Sequence, residues 1–315
     1  MTLALIAAGL VLLVILISYV CFRFAFYVPP RKEQDPDFID LPQGKEYEPF
    51  WDSMRKWTLA TRQLPHEDVS IRSFDGLTLT GKFYEYAPGA PIELMFHGYR
   101  GNAQRDLSGG VQRCFKLGRS ALLVDQRCAG GSQGNVITFG IHEHKDCLTW
   151  LDFMVKKFGP NRKIILTGIS MGATTVLMAA GKELPENVIG VLADCGFTSP
   201  KAIIQDVLRR HMHLPPKISY PFVKLGAKLF GKFDLEETSA LEAVKKAKVP
   251  IIFFHGEADN LVPCYMSREN YEACASRKML ITVPGAAHGL GYPTDPKRYL
   301  DAAGSFFGPE GTYQK

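Results

Sequence analysis

Six short apolar runs limit the architectures open to this chain. They are "IELMF" (92–96), "SALLVD" (120–125), "KIILTG" (163–168), "VIGVLAD" (188–194), "VPIIFFH" (249–255) and "KMLITVP" (278–284). Helical patterns fall between them near 107–118, 142–158, 171–183, 264–275 and 296–307. Strand, helix, strand in this order builds βαβ units, which predicts an α/β chain with a mostly parallel central sheet flanked by helices. Such sheets hold their chemistry at the carboxyl ends of the strands. Upstream, "VSIRSF", Asp75-Gly76 and "LTLTGKFYEY" predict two more strands around a hairpin turn.

The third run leads into "LTGISMGATT" (166–175), where Ser170 sits between Gly168 and Gly172. A serine between a strand and a helix occupies a sharp turn, and glycines are needed where the two backbones approach too closely for a Cβ. The turn lifts the hydroxyl above the sheet and aims the N–H groups of the following helix at a developing oxyanion. Five residues match by chance too often to carry the reading alone, so the partners decide. A serine needs a base to act as a nucleophile. "FFHGEADNLVP" ends one strand with Asp259 in its loop, and "VPGAAHGLG" ends the next with His288 in its loop. Ser170, Asp259, His288 is the nucleophile–acid–base order of this strand–turn–helix architecture. His288 would take the serine proton, and Asp259 would fix the imidazole tautomer. Two backbone donors are expected for the oxyanion: Met171, after the serine, and Tyr99, in the glycine-rich "FHGYRGN" after the first run.

On these residues the chain resembles an α/β-hydrolase fold serine hydrolase. It is similar to the esterase, lipase and acyl-peptidase branch, and particularly to membrane-anchored bacterial hydrolases. The resemblance covers roughly residues 66–308, through "FHGYRGN", "DQRCAGGSQG", "GISMGA", "HGEADNLVP" and "GAAHG". It implies Ser170, Asp259 and His288 as the triad and Tyr99 and Met171 as oxyanion donors. It also implies that Asp125 and Arg127 brace a loop, that Glu143 and Asp146 are the acids usual at the start of their helix, and that the insertion near 197–240 is a small helical lid. Epoxide hydrolases and dehalogenases of this fold carry an Asp where Ser170 stands, which disfavours that chemistry.

Other signals are weaker. In "HEHKD" (142–146), His142 and His144 point to different helix faces, and two ligands do not make a metal site. Cys195 and His255, also at strand ends, read as a packed thiol and a structural histidine.

Residues 3–22 contain no charge. Twenty helical residues rise about 30 Å, enough to cross the hydrocarbon core. No Lys or Arg precedes the run and no A-x-A-like site follows, which favours an uncleaved transmembrane anchor over a signal peptide. Arg23, Arg31 and Lys32 follow it, and the positive-inside rule places the rest of the chain in the cytoplasm. The seven cysteines contain no CxxC pair and read as free thiols, in keeping with that side. Residues 23–65 are expected to form a tether and a short helix carrying Phe50, Trp51, Met54 and Trp57 on one face, packed on the body or lying on the bilayer. Residues 309–315 are a tail. In the lid, Pro215-Pro216 should separate two helices, and Lys224, Lys228 and Lys232 form a basic stripe. It suits either anionic lipid or a solvated edge over an apolar acyl pocket.

A net charge of +5 is too small to argue for nucleic acid. The expectation is therefore a membrane-anchored serine hydrolase of carboxylic esters or thioesters. Its partners would be a small or lipid-like acyl ester and membrane lipid, and it would need no metal or organic cofactor. A serine peptidase or amidase of the same fold, and a non-catalytic binding module, remain alternatives.

Overall fold

The computed structural model describes residues 1–29 and 37–308. Part of the expected tether (30–36) and the tail (309–315) lie outside the described residues. Eight strands form one sheet in the order β1-β2-β4-β3-β5-β6-β7-β8. They are β1 (Glu67–Arg72), β2 (Thr78–Tyr84), β3 (Ile92–Phe96), β4 (Ser120–Val124), β5 (Ile164–Ile169), β6 (Val188–Asp194), β7 (Ile251–Gly256) and β8 (Lys278–Val283). β1 and β2 form the expected antiparallel hairpin, β2 runs antiparallel to β4, and every other pairing is parallel. Every residue of β3, β4 and β7 is buried. Sheets covered on both faces demand such continuous apolar runs, whereas the edge strand β1 alternates exposed and buried positions.

The helices are α1 (Thr2–Ala25), α2 (Trp51–Gln63), α3 (Ala103–Lys116), α4 (Glu143–Phe158), α5 (Met171–Ala180), α6 (Pro200–Arg210), α7 (Pro216–Gly226), α8 (Ala240–Val244), α9 (Cys264–Ala273), α10 (Gly291–Thr294) and α11 (Pro296–Phe306). Side-chain caps start several of them: Asn102 accepts from the Arg105 N–H and Ser199 from the Ala202 N–H. On one face of the sheet Trp150 of α4 joins α5 in the main core, and on the other Tyr299 and Phe306 of α11 pack on β6 and β7. The architecture is thus the expected α/β-hydrolase fold. The short helices α8 and α10 have too few residues to show a period and escape a sequence reading.

α1 is long and apolar enough to cross a membrane, and only 6% of its most apolar window is buried. Its C-terminal end is docked. Phe26 is fully buried, the Val28 N–H donates to Asn135 O at 2.9 Å, and the Ile137 N–H donates to Phe26 O at 2.9 Å. The last turn of a helix leaves carbonyls without partners. Here the Tyr99 hydroxyl donates to Ala25 O at 2.7 Å and the Arg100 guanidinium donates to Phe24 O at 2.8 Å. α2 packs on the body: the Trp57 ring lies 5.6 Å from that of Tyr292 and lies so close to Gly109 that a Cβ there would sit 2.7 Å from it.

Pro215-Pro216 does separate two helices, α6 and α7, and a wide turn over Ala227–Gly231 extends the second. Tyr220 and Val223 of α7 share a core with Phe22 and Phe26. The Phe26 ring meets Phe139 at 5.7 Å and Phe233 at 5.3 Å. Phe26→Ala should therefore destabilise the detergent-solubilised protein by about 3–5 kcal/mol. A thermal melt should fall by on the order of 10 °C; an unchanged melt would mean that this junction contributes little.

Candidate active site

The turn after β5 holds Ser170 at φ 57° and ψ −119°, a left-handed conformation for a residue with a Cβ. Such conformations cost on the order of 1–3 kcal/mol and persist only when the surroundings impose them. The surroundings here are backbone. A Cβ on Gly168 would lie 2.2 Å from Gly172 C, and one on Gly172 would lie 2.1 Å from Phe96 O in β3. The two glycines let α5 descend directly onto β3 and β5, and this leaves the hydroxyl at the carboxyl edge of the sheet.

Two more strand ends reach the same place. His288, after β8, has Nε2 at 2.9 Å from Ser170 Oγ and Nδ1 at 2.7 Å from Asp259 Oδ2. A carboxylate only accepts, so Nδ1 carries the hydrogen and Nε2 is free to accept the serine proton. Asp259, after β7, also accepts the Leu261 N–H at 2.9 Å and the Val262 N–H at 2.8 Å. Burial opposes its charge, but hydrogen bonds from His255 and His288 outweigh that, and its carboxyl is held well below the usual range. The structure thus brings Ser170, Asp259 and His288 together in one hydrogen-bonded chain. Tyr99 and Met171 flank it. Neither backbone N–H meets an acceptor among the described residues. A Cβ on Gly98, beside Tyr99, would lie 3.4 Å from Ser170 Cβ.

Tyr47 and Asp106 escape a sequence reading of the site, and the structure gives His255, read as structural, its partners. Tyr47 donates its hydroxyl to His288 O at 3.0 Å, across 241 positions, a link no local pattern reveals. His255 touches Asp259 at 3.2 Å, and its Nε2 also meets Val262 O at 2.9 Å. A carbonyl oxygen only accepts, so Nε2 is the protonated nitrogen and steadies the Asp259 loop. The repeated "FHG" pattern at 254–256 and the four-residue step to Asp259 are the only sequence hints of this. Asp106 Oδ2 accepts the Gly98 N–H at 3.0 Å and so fixes the loop that carries Tyr99.

Asp125, Arg127 and the residues at the start of α4 hold the neighbouring loops by hydrogen bonds. Arg127 forks onto Asp146 with two bonds of 2.8 Å, and Glu143 accepts the Thr138 and Gly140 N–H groups at 2.8 Å each. His144 Nδ1 meets Gly140 O at 2.9 Å. Asp125 accepts the Ala103 N–H at 2.9 Å. Cys195 Sγ lies within 4.8 Å of an Asp259 oxygen and a His288 nitrogen. Burial pushes its thiol well above the ordinary value, so it stays protonated and unreactive.

A cavity of about 360 Å³ opens at Ser170. Pro42, Tyr47, Met54, Trp57, Leu261 and Tyr292 line it. This corrects the expectation that the lid roofs the pocket. No residue of 197–240 lines the cavity; the apolar residues of the lid pack instead into a core with Phe22 and Phe26 of the N-terminal segment and with Ile137, Val262 and Met266 of the body. The floor is polar. Asp194 Oδ2 accepts the Tyr299 hydroxyl at 2.9 Å, and burial raises the Asp194 carboxyl above the usual range.

The sheet order and the site at its carboxyl edge define an α/β-hydrolase fold hydrolase. The chain belongs to the prolyl oligopeptidase family, whose sequence pattern matches residues 138–309. That match spans Ser170, Asp259 and His288. The Bacillus subtilis protein YqkD is 25% identical over 300 residues, covering 95% of this chain and 94% of that protein. A Saccharomyces cerevisiae relative described as an uncharacterised membrane protein is 24% identical over 174 residues, 55% of this chain and 56% of its own. Among solved structures, an esterase of Pyrococcus furiosus superposes with a TM-score of 0.65 at 20% identity, covering 89% of this chain and 97% of that one.

The lowered Asp259 carboxyl has a consequence for acid stability. Stabilisation from a depressed carboxylate is fully present above the unfolded value, about 3.9, and is lost as pH falls through the lower native one. Asp259→Asn removes that stabilisation. Urea unfolding should show the variant weaker than the wild type at pH 7, with the gap narrowing below about pH 4. A gap that stays constant down to pH 2 would contradict the charge-assisted bonding.

Proposed function

We propose that this protein is a membrane-anchored serine hydrolase that cleaves carboxylic esters or thioesters through an acyl-enzyme. The observation that carries the proposal is the hydrogen-bonded chain Asp259–His288–Ser170 at the mouth of a largely apolar cavity. In this reading Ser170 Oγ attacks the acyl carbon as His288 Nε2 takes its proton. The oxyanion collects on the Tyr99 and Met171 N–H groups. His288 returns the proton to the leaving oxygen or sulfur, then activates the water that releases the acid. Asp259 stays ionised and stabilises the imidazolium. All of these roles use the chain's own side chains and backbone together with water.

Anchoring rests on the uncharged run 3–22 within α1, and the yeast relative described as a membrane protein supports it. We place the body on the side bearing Arg23, Arg31 and Lys32, the cytoplasmic side by charge bias. The family's name favours a second reading, hydrolysis of a peptide or amide by the same groups.

The test is turnover of p-nitrophenyl esters from acetate to palmitate, beside p-nitroanilides, by the full-length protein in detergent. Ester turnover should exceed anilide turnover, and Ser170→Ala should cost on the order of 10³-fold or more in kcat. Faster anilide turnover would favour the peptidase reading, and no serine-dependent turnover of either class would overturn the enzyme. Met54 walls the cavity, so Met54→Trp should shift the preferred ester toward shorter chains. The same change at exposed Met212 in the lid should not.

A further inference from the structure

α1 and α7 are packed too tightly to separate by depth. A Cβ on Gly226 would lie 2.3 Å from Ser18 O, and Ser18 is fully buried in a helix whose residues before it are all exposed. The Tyr19 and Phe22 rings meet Phe230, just past α7, at 5.1 and 5.8 Å. The charge pattern of α1 sets the depth of this junction. Residues 3–22 are uncharged and Arg23 is the first charge, so the edge of the hydrocarbon falls near Phe22–Arg23. Ser18 lies five residues before Arg23, about 7 Å deeper along the helix. Whatever touches Ser18 from outside α1 is therefore held within about 7 Å of the hydrocarbon edge.

The outward side of α7 suits that depth. Tyr220, Val223, Gly226 and Ala227 are buried against α1 and the core. Ile218, Pro221 and Leu229 lie on the opposite side, and Ile218 is 66% and Leu229 48% exposed. Exposed Lys217, Lys228 and Lys232 flank this stripe. Apolar residues between lysines, on a helix lying across an anchor, are the pattern of an interfacial helix. The ammonium groups reach back to phosphates while the apolar stripe enters the boundary by about 5–10 Å.

We infer that the outward face of α7 and its following turn is a membrane-seating surface, which rests on the same bilayer that α1 crosses. The inference rests on the anchor reading of α1. Two contacts, α1 through the bilayer and α7 on its surface, fix the orientation of the catalytic body. The lid then serves as a footing rather than a roof over the cavity.

The test uses the full-length protein in nanodiscs of phosphatidylcholine and phosphatidylglycerol, with the half-exposed Cys21 and Cys264 replaced by Ser. An environment-sensitive fluorophore is attached in turn at Ile218→Cys, Leu229→Cys, Leu10→Cys in α1 and Tyr86→Cys, which is half-exposed beyond β2. Brominated lipid should quench Leu10 strongly, quench Ile218 and Leu229 by about twofold or more, and leave Tyr86 unaffected. Ile218 and Leu229 read the same face, so either serves if the other variant misfolds. If Leu10 is quenched while the α7 positions behave like Tyr86, the seating surface is overturned and the anchor stands. If Leu10 also escapes quenching, the anchor reading falls and the seating surface falls with it.

Discussion

The contact between α5 and the centre of the sheet is the constraint on which the site depends. Gly172 lies so close to Phe96 O, and Gly168 so close to Gly172, that neither tolerates a Cβ. That approach forces Ser170 to positive φ and turns its hydroxyl outward. It also registers β3 with β5, since Phe96 pairs with Gly168. Once these are fixed, the loops after β3, β5, β7 and β8 open on one edge, and Tyr99, Ser170, Asp259 and His288 converge there. A helix that docked one residue further out would break the 2.9 Å link to His288.

Beneath the site lies a buried charge cluster. Glu93, fully buried in β3, is ion-paired with Arg113, bonds Arg119 at 2.8 Å and accepts the Thr167 hydroxyl at 2.8 Å. Burial opposes its charge, yet the two guanidinium groups outweigh that and lower its carboxyl. Arg119 also donates to Ala303 O at 2.9 Å, which joins β3 to α11. Removing one partner of such a cluster leaves an uncompensated charge, at a cost of about 3–5 kcal/mol. Its worth is positional: it locks α3, β3, β5 and α11 around the polar floor of the cavity.

The N-terminal residues belong to the folded body as well as to the apolar helix α1. The segment from Pro42 to Trp57 forms a cavity wall, and Tyr47 holds the His288 backbone. The end of α1 binds Tyr99 and Arg100, in the loop after β3 that borders Ser170. A chain truncated through Phe26 would lose Phe22 and Phe26 from the lid core and the Ala25 carbonyl that holds Tyr99.

The sequence by itself determined the layered α/β architecture, because fully buried parallel strands need continuous apolar runs and the helices between them need a 3.6-residue period. It also singled out Ser170, Asp259 and His288, because each follows an apolar run and chain order assigns their parts. Their meeting within hydrogen-bond distance was decided by the order of the strands, which brings β5, β7 and β8 ends together. Tertiary structure alone decided what surrounds them. Tyr47 reaches His288 from 241 residues away, and Glu93 looks out of place in "IELMF" until two distant arginines enclose it. The basic, amphipathic lid is equally suited by pattern to cover a pocket or to face lipid. A hydrophobic face records that it must be buried but not against what, and here contact with α1 decided it.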